Sequence, residues 1–171
     1  KLFNTRKIKL GTNVNIGRFV KISALGTDGI QIGDNVSIGD FSNIVVSTSF
    51  NNIGKGIYIG NNVGMGEFAY LGGAGGLIIG SDTIIGQYFS THPENHVFSD
   101  TESLIRNQGV TRQGIEIGGN CWIGSKVTIL DGVKIGSNSV VAAGSVVTKS
   151  FPGNVVLGGV PARIVKRIER L

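Results

Sequence analysis

The 171 residues contain two histidines, and both fall in one short segment, Ser90-Thr91-His92-Pro93-Glu94-Asn95-His96. An imidazole with an ordinary pKa near 6.5 can take and return a proton at neutral pH. His92 is therefore a candidate general base, with Glu94 close enough in sequence to orient it or simply to remain solvated. Other chemistry finds less support. Two histidines, the lone Cys121 and scattered carboxylates have no zinc-ligand spacing. No G-x-S-x-G nucleophile turn and no Walker phosphate loop is present. Gly72-Gly73-Ala74-Gly75-Gly76 resembles a phosphate loop only superficially and reads as a corner of unusual backbone shape.

The elements that must position His92 are legible in an excess of glycine. There are 28 glycines against 3 prolines, more than twice the usual share of about 7%. With 40% hydrophobic residues and no every-third-residue glycine, neither a flexible linker nor collagen fits. Apolar anchors recur six residues apart instead: Leu10, Ile16, Ile22; Ile32, Ile38, Ile44, Phe50; Ile59, Met65, Leu71; Ile79, Ile85; and Ile117 through Ile123, Ile129, Ile135 and Val141 to Val147. Glycine follows most anchors directly, and a small or β-branched residue stands three further on, as in Val36, Ser42, Thr83, Cys121 and Ser139. A period of six is neither helical nor that of a hairpin sheet. It predicts an all-β solenoid of triangular coils, with one short strand per side and the anchors stacked inside.

The breaks in the period carry as much information. Steps of ten, nine and eight after Ile22, Phe50 and Leu71 predict small corner insertions, whereas residues 92–116 lose the register altogether. Long irregular segments in compact domains are usually functional, so this excursion is the expected seat of chemistry. Ile164, Val165, Ile168 and Leu171 are spaced like one face of a short helix capping the last coil. The chain then divides into a β-helix domain over residues 1–160 and a helical tail over 161–171. A net charge of +5 without a basic run interleaved with aromatics argues against nucleic acid. The basic residues near the C-terminus, from Lys149 to Arg170, suit a small polyanion at least as well. No stretch is apolar enough to span a membrane, and the single cysteine fits a reducing compartment. These features lead to the expectation of a cytoplasmic protein.

Four ordered segments give a more specific likeness: Thr91-His92-Pro93; Cys121-Trp122-Ile123-Gly124-Ser125; Val141-Ala142-Ala143-Gly144-Ser145-Val146-Val147-Thr148-Lys149; and Gly158-Gly159-Val160-Pro161-Ala162-Arg163. With them the chain resembles the hexapeptide-repeat acyltransferases, in particular the galactoside and maltose O-acetyltransferases. That resemblance implies a left-handed parallel β-helix, assembled as a homotrimer with active sites between subunits, the excursion helping to enclose a neighbour's groove. It implies acetyl-CoA as the acyl donor and no required metal. His92 matches the family's base, the backbone N–H of Ser125 its oxyanion donor, and Trp122 the residue lining the thioester. Ala143, Thr148 and Lys149 match the pantetheine and nucleotide path, and Arg163 and Lys166 the positions that meet the CoA phosphates. Glu67 and Tyr70 lie in the region where the family contacts its acceptor.

The resemblance thus implies transfer of an acetyl group to a hydroxyl of a sugar or polysaccharide precursor. Serine, an antibiotic or a sugar amine are alternative acceptors, and a non-catalytic β-helix binding scaffold is the alternative outside enzymology. A γ-class carbonic anhydrase would need three zinc-binding histidines per site, one more than the chain contains.

Overall fold

Short strands separated by tight corners dominate the structure, a computed structural model that describes residues 1–47 and 49–169. Within the coil each strand pairs in parallel with the strand one full coil later, which makes three sheets the faces of a three-sided coil. Face one stacks Leu2–Phe3, Lys21–Ser23, Asn43–Val45, Tyr70–Gly72, Ser90–His92, Thr128–Leu130 and Val146–Val147. Face two runs from Ile8–Leu10 through Gly26–Ile32, Gly54–Ile59, Leu77–Ile79 and Ile115–Ile117 to Lys134–Ile135. Face three runs from Asn15–Ile16 through Ser37–Ile38, Gly64–Met65, Ile84–Ile85, Trp122–Ile123 and Val140–Val141 to Val155–Gly159. We refer below to the corner from face three into face one as the entry edge, and the corner from face one into face two as the exit edge.

The hexad anchors fill the interior as their spacing predicts. Ile22, Ile44, Leu71, Ile129 and Val147 form one buried column on face one, with Ile59, Ile79 and Ile117 on face two and Ile85, Ile123 and Val141 on face three. Each such side chain contributes about 1.5–3 kcal/mol by leaving water. Two anchors depart from the pattern: Leu10, in the first coil, is 49% exposed, and Phe50 is 79% exposed because it belongs to an insertion at the exit edge rather than to a strand. At the far end Phe151 closes the coil, bridging to Ile135.

The glycines that follow the anchors have no need of a left-handed backbone; none of the twelve has positive φ. Their requirement is close approach between coils. A Cβ on Gly118 would stand 2.5 Å from Ser137 N, and one on Gly124 the same distance from Ala143 N. The left-handed positions lie two residues later and follow a different rule at each corner. Between faces two and three they are Asn13, Asn35, Asn62, Asp82, Asn120, Asn138 and Asn154, residue types that tolerate αL. Their side chains form a ladder, with Asn35 Nδ2 donating to Asn62 Oδ1 at 3.1 Å and Asn62 Nδ2 to Asp82 Oδ1 at 2.8 Å. At the entry edge the same positions are Phe19, Phe41, Phe68 and Tyr88, followed by Lys126 and Gly144.

The expected C-terminal helix is absent. Ala162–Arg167 is a strand, antiparallel to Val155–Gly159, and Ile168 N donates to Asn154 O at 2.8 Å. Val155–Gly159 presents an open row of backbone donors and acceptors, and the β-branched pair Ile164-Val165 suits pairing with it better than one helical turn. Arg170 and Leu171 lie outside the described residues. Among the described residues no helix is long and apolar enough to cross a membrane.

Candidate active site

His92 is not in a loop. It ends the strand Ser90–His92 on face one, and the excursion proper occupies 93–114, between that strand and Ile115–Ile117. Strand alternation explains its direction: Thr91 points inward and is fully buried, so His92 points out at the exit edge. The buried Thr91 hydroxyl is satisfied by the neighbouring coil, accepting from Gly72 N–H at 3.1 Å and donating to Gly72 O at 3.4 Å. The imidazole stacks on Tyr70, with ring centroids 5.6 Å apart and planes 21° from parallel. Partial burial disfavours its charged form and holds its pKa below the ordinary histidine value. Among the described residues neither ring nitrogen has a hydrogen-bond partner within the chain.

Beside His92 is a cavity of about 190 Å³ whose walls include Ser47, Asn52, Tyr70, Gly73, Glu94 and Arg112. Glu94 does not orient His92. Arg112 holds it, donating from Nε to Oε2 at 2.7 Å and bringing Nη2 within 2.6 Å of the same oxygen. Arg112 Nη1 also donates to Ile53 O at 3.0 Å, tying the base of the excursion to the insertion two coils away. The return end is fixed by Asp131, whose carboxylate accepts from Gln113 N–H at 2.9 Å and Gly114 N–H at 2.8 Å. Between these braces Asn95–His96 pairs antiparallel with Val110–Thr111, which puts the exposed His96 in a hairpin. The motifs drew no attention to Arg112; its only sequence signal is a lone arginine near the end of the segment without register.

The remaining predicted residues fall on the two edges of face one and on face three. Tyr70, Thr148 and Lys149 share the side of His92. Tyr70 lines its cavity, and Thr148 follows Val146–Val147, two coils on at the exit edge. Ser125 and Glu67 lie at the entry edge, and Ala143 stacks one coil beyond Ser125. Trp122 points out from face three, 59% exposed and in register with Ile84 and Val140. Arg163 and Lys166 are on the added strand of that face. The structure brings Tyr70 to His92 but leaves Glu67 apart from the cavity. Ser125 Oγ donates to Gln87 Oε1 at 2.9 Å. Its backbone N–H has no acceptor among the described residues, since the next coil places Ala143 where the first two corners place Asp34 and Asp40 to accept from Thr12 and Arg18 N–H.

A larger hollow, about 480 Å³, lies on face two between Tyr58, Ile78 and the Lys134–Glu116 pair. Its walls carry no histidine, cysteine, serine or threonine, so the smaller cavity beside His92 is the better site. Among the described residues no three His, Cys, Asp or Glu gather as a metal site.

Known proteins resemble this chain in sequence and fold. The bacterial transferase hexapeptide (six repeats) description matches residues 114–149. Galactoside O-acetyltransferase of Escherichia coli is 47% identical over 78 residues, 46% of this chain and 36% of that relative, so the chain matches only about a third of its length. A mutant of the Bacillus cereus N-acyltransferase AntD, in complex with dTDP-4-amino-4,6-dideoxyglucose and coenzyme A, superposes with TM-score 0.77 at 25% identity, over 95% of this chain and 84% of that one. A hexapeptide-repeat acetyltransferase from Vibrio cholerae complexed with acetyl coenzyme A gives 0.59 at 27% identity, over 97% and 74%. The resemblance drawn from the motifs is therefore borne out in both sequence and structure.

Proposed function

We propose that this chain, a hexapeptide-repeat protein similar to the galactoside O-acetyltransferases, transfers an acetyl group from acetyl-CoA to a hydroxyl of a sugar or polysaccharide precursor. The observation that carries this reading is His92, an imidazole stacked on Tyr70 at the wall of a small, mostly polar cavity, where partial burial favours its neutral form. A hydroxyl bound there gives its proton to His92 as its oxygen attacks the thioester carbonyl. The new C–O bond forms, the C–S bond breaks, and the CoA thiolate recovers the proton. Positioned acid–base catalysis of this kind contributes on the order of 10²–10⁴ in rate. The unpaired N–H of Ser125 is suited to the negative charge that develops on the carbonyl oxygen. Trp122 would flank the thioester, Ala143 and Thr148 leave room for pantetheine, and Lys149, Arg163 and Lys166 meet the phosphates.

His92 and Ser125 occupy opposite edges of one chain, so a second copy is needed to bring them together. This supports the homotrimer, in which the exit edge of one subunit faces the entry edge of the next. The left hand of the coil rests on the fold likeness, and the cytoplasm is the location we propose, since that is where acetyl-CoA is available. A sugar amine is the second reading, favoured by the likeness to an N-acyltransferase bound to an amino sugar nucleotide.

The test follows CoA thiol release from acetyl-CoA with a panel of sugars and amino sugars, using wild type and His92→Ala. Turnover that depends on the acceptor and collapses in the variant is expected. Unchanged turnover in His92→Ala would sink the mechanism, and no CoA binding by the wild type would favour a non-catalytic scaffold.

A further inference from the structure

Most of the polar groups around the cavity beside His92 are already engaged within the chain. The Thr91 hydroxyl is held by Gly72. Ser47 Oγ donates to Asn52 O at 2.9 Å and accepts from Ser49 N–H at 3.2 Å. Each nitrogen of the Arg112 guanidinium also has a partner: Nε and Nη2 hold Glu94 Oε2, Nη1 donates to Ile53 O at 3.0 Å, and Nη2 reaches Asn52 O at 3.4 Å. Four groups on the walls have no hydrogen-bond partner among the described residues. They are the second Glu94 oxygen, Oε1, the Asn52 side-chain amide, the Tyr70 hydroxyl and the His92 ring.

These remaining groups define what the cavity can take. Apart from His92, its described walls carry one acidic side chain, Glu94, and one basic side chain, Arg112, and the two charges cancel. No guanidinium or ammonium donor is left free for a phosphate or a carboxylate, and the open oxygen of Glu94 repels either one. A neutral hydroxyl can instead donate to that oxygen, and a hydrogen bond to an ionised acceptor is stronger than one between neutral groups. The volume, about 190 Å³, falls below the roughly 300–1,000 Å³ of pockets that enclose drug-sized ligands. It suits a single sugar ring, with any glycan or nucleotide attached to that ring lying outside.

We infer that Glu94 sets acceptor specificity: its open oxygen accepts from a second hydroxyl of the sugar ring whose reacting hydroxyl gives its proton to His92. Arg112 is the positioning residue, which fixes the carboxylate through Oε2 and offsets its charge. The inference rests on the acetyl-transfer reading above and adds the charge class of the acceptor. An uncharged ring is preferred to a uronic acid, which has no cation to meet, and to an amino sugar, because Arg112 already neutralises the carboxylate that would attract an ammonium. The balance depends on both members of the pair, so removing either one changes which sugar is favoured.

The test compares glucose and galactose with their uronic acids and 2-amino sugars as acceptors. Turnover is read as CoA thiol release, and binding separately by saturation-transfer NMR without acetyl-CoA. Wild type is expected to favour the neutral hexoses. Glu94→Gln leaves the Arg112 charge uncompensated and should raise the uronic-to-neutral ratio of kcat/KM by about tenfold or more, the scale of one mismatched charge. Arg112→Met leaves the carboxylate uncompensated and should move preference the opposite way, towards the amino sugars; it serves as the second variant if Glu94→Gln misfolds. Mere loosening of the excursion lowers turnover with every acceptor and produces no such opposite shifts. Turnover with unchanged ratios in both variants overturns the role of the pair and leaves acetyl transfer standing. Sugar binding that follows the charge pattern without turnover upholds the specificity role and overturns the transfer reading. Neither binding nor turnover with any of these sugars overturns both.

Discussion

Arg112 and Glu94 form a half-buried ion pair at the mouth of the His92 cavity, with Nε to Oε2 at 2.7 Å and Nη2 to the same oxygen at 2.6 Å. The pair joins the two ends of the excursion, and Arg112 extends the link to the carbonyl of Ile53. Arg112→Ala strands a carboxylate and a carbonyl together and is expected to cost about 1–3 kcal/mol. Limited proteolysis should show faster cutting between residues 93 and 112, and the urea midpoint should fall. Arg112→Lys should not restore it, because an ammonium lacks the guanidinium fork that serves both partners.

His92→Ala is expected to lower acetyl-transfer turnover by on the order of 10²–10⁴ while leaving coenzyme A affinity within a fewfold of wild type. Single-turnover kinetics with calorimetric titration of CoA separates the two. Loss of binding together with turnover would make His92 a structural residue.

The pH dependence follows from burial. Desolvation disfavours the imidazolium, so the folded pKa of His92 lies below the 6.5 of an unperturbed histidine. The neutral base is then favoured at pH 7, and kcat/KM should fall on an acid limb whose midpoint is below 6.5. Linkage has the same sign: with the folded pKa depressed, the contribution to stability is present above the unfolded value and lost as pH falls towards the folded one. NMR titration of the His92 ring checks the direction directly, and a midpoint above 6.5 would contradict it.

Gly118→Ala tests why glycine follows the anchors. Its backbone is ordinary, but the new Cβ would meet Ser137 N at 2.5 Å. Overpacking of this kind costs about 1–3 kcal/mol, so the melting temperature should drop by several degrees, at roughly 2–4 °C per kcal/mol for a chain this size. An unchanged melting temperature would show that the coils separate freely.

Asn62→Ala removes two rungs of the asparagine ladder and places alanine at φ 56°. A loss of about 1–2 kcal/mol is expected. Asn62→Gly loses the same hydrogen bonds but relieves the backbone, so its urea midpoint should lie above that of the alanine variant.

Much of this was readable residue by residue. Ile22, Ile44, Leu71, Ile129 and Val147 announce their column because a period of six returns each anchor to the same wall every third strand, and the loss of that period pointed to the excursion at His92. The tail was misread because Ile164, Val165 and Ile168 are too few to separate helical from extended spacing, and the strand form depends on the open edge of Val155–Gly159. Phe50 was misread because it keeps the period by coincidence inside an insertion.

The coil was legible from the chain alone, since apolar anchors and glycines recurring at a fixed step return to the same walls of every coil. That His92 ends a strand, that Glu94 belongs to Arg112, and that Ser125 lies across face one from His92 emerged from the folded chain. Those relationships join residues from different coils and corners, whose separation depends on how many residues each corner inserts, and hexad spacing carries no record of that distance.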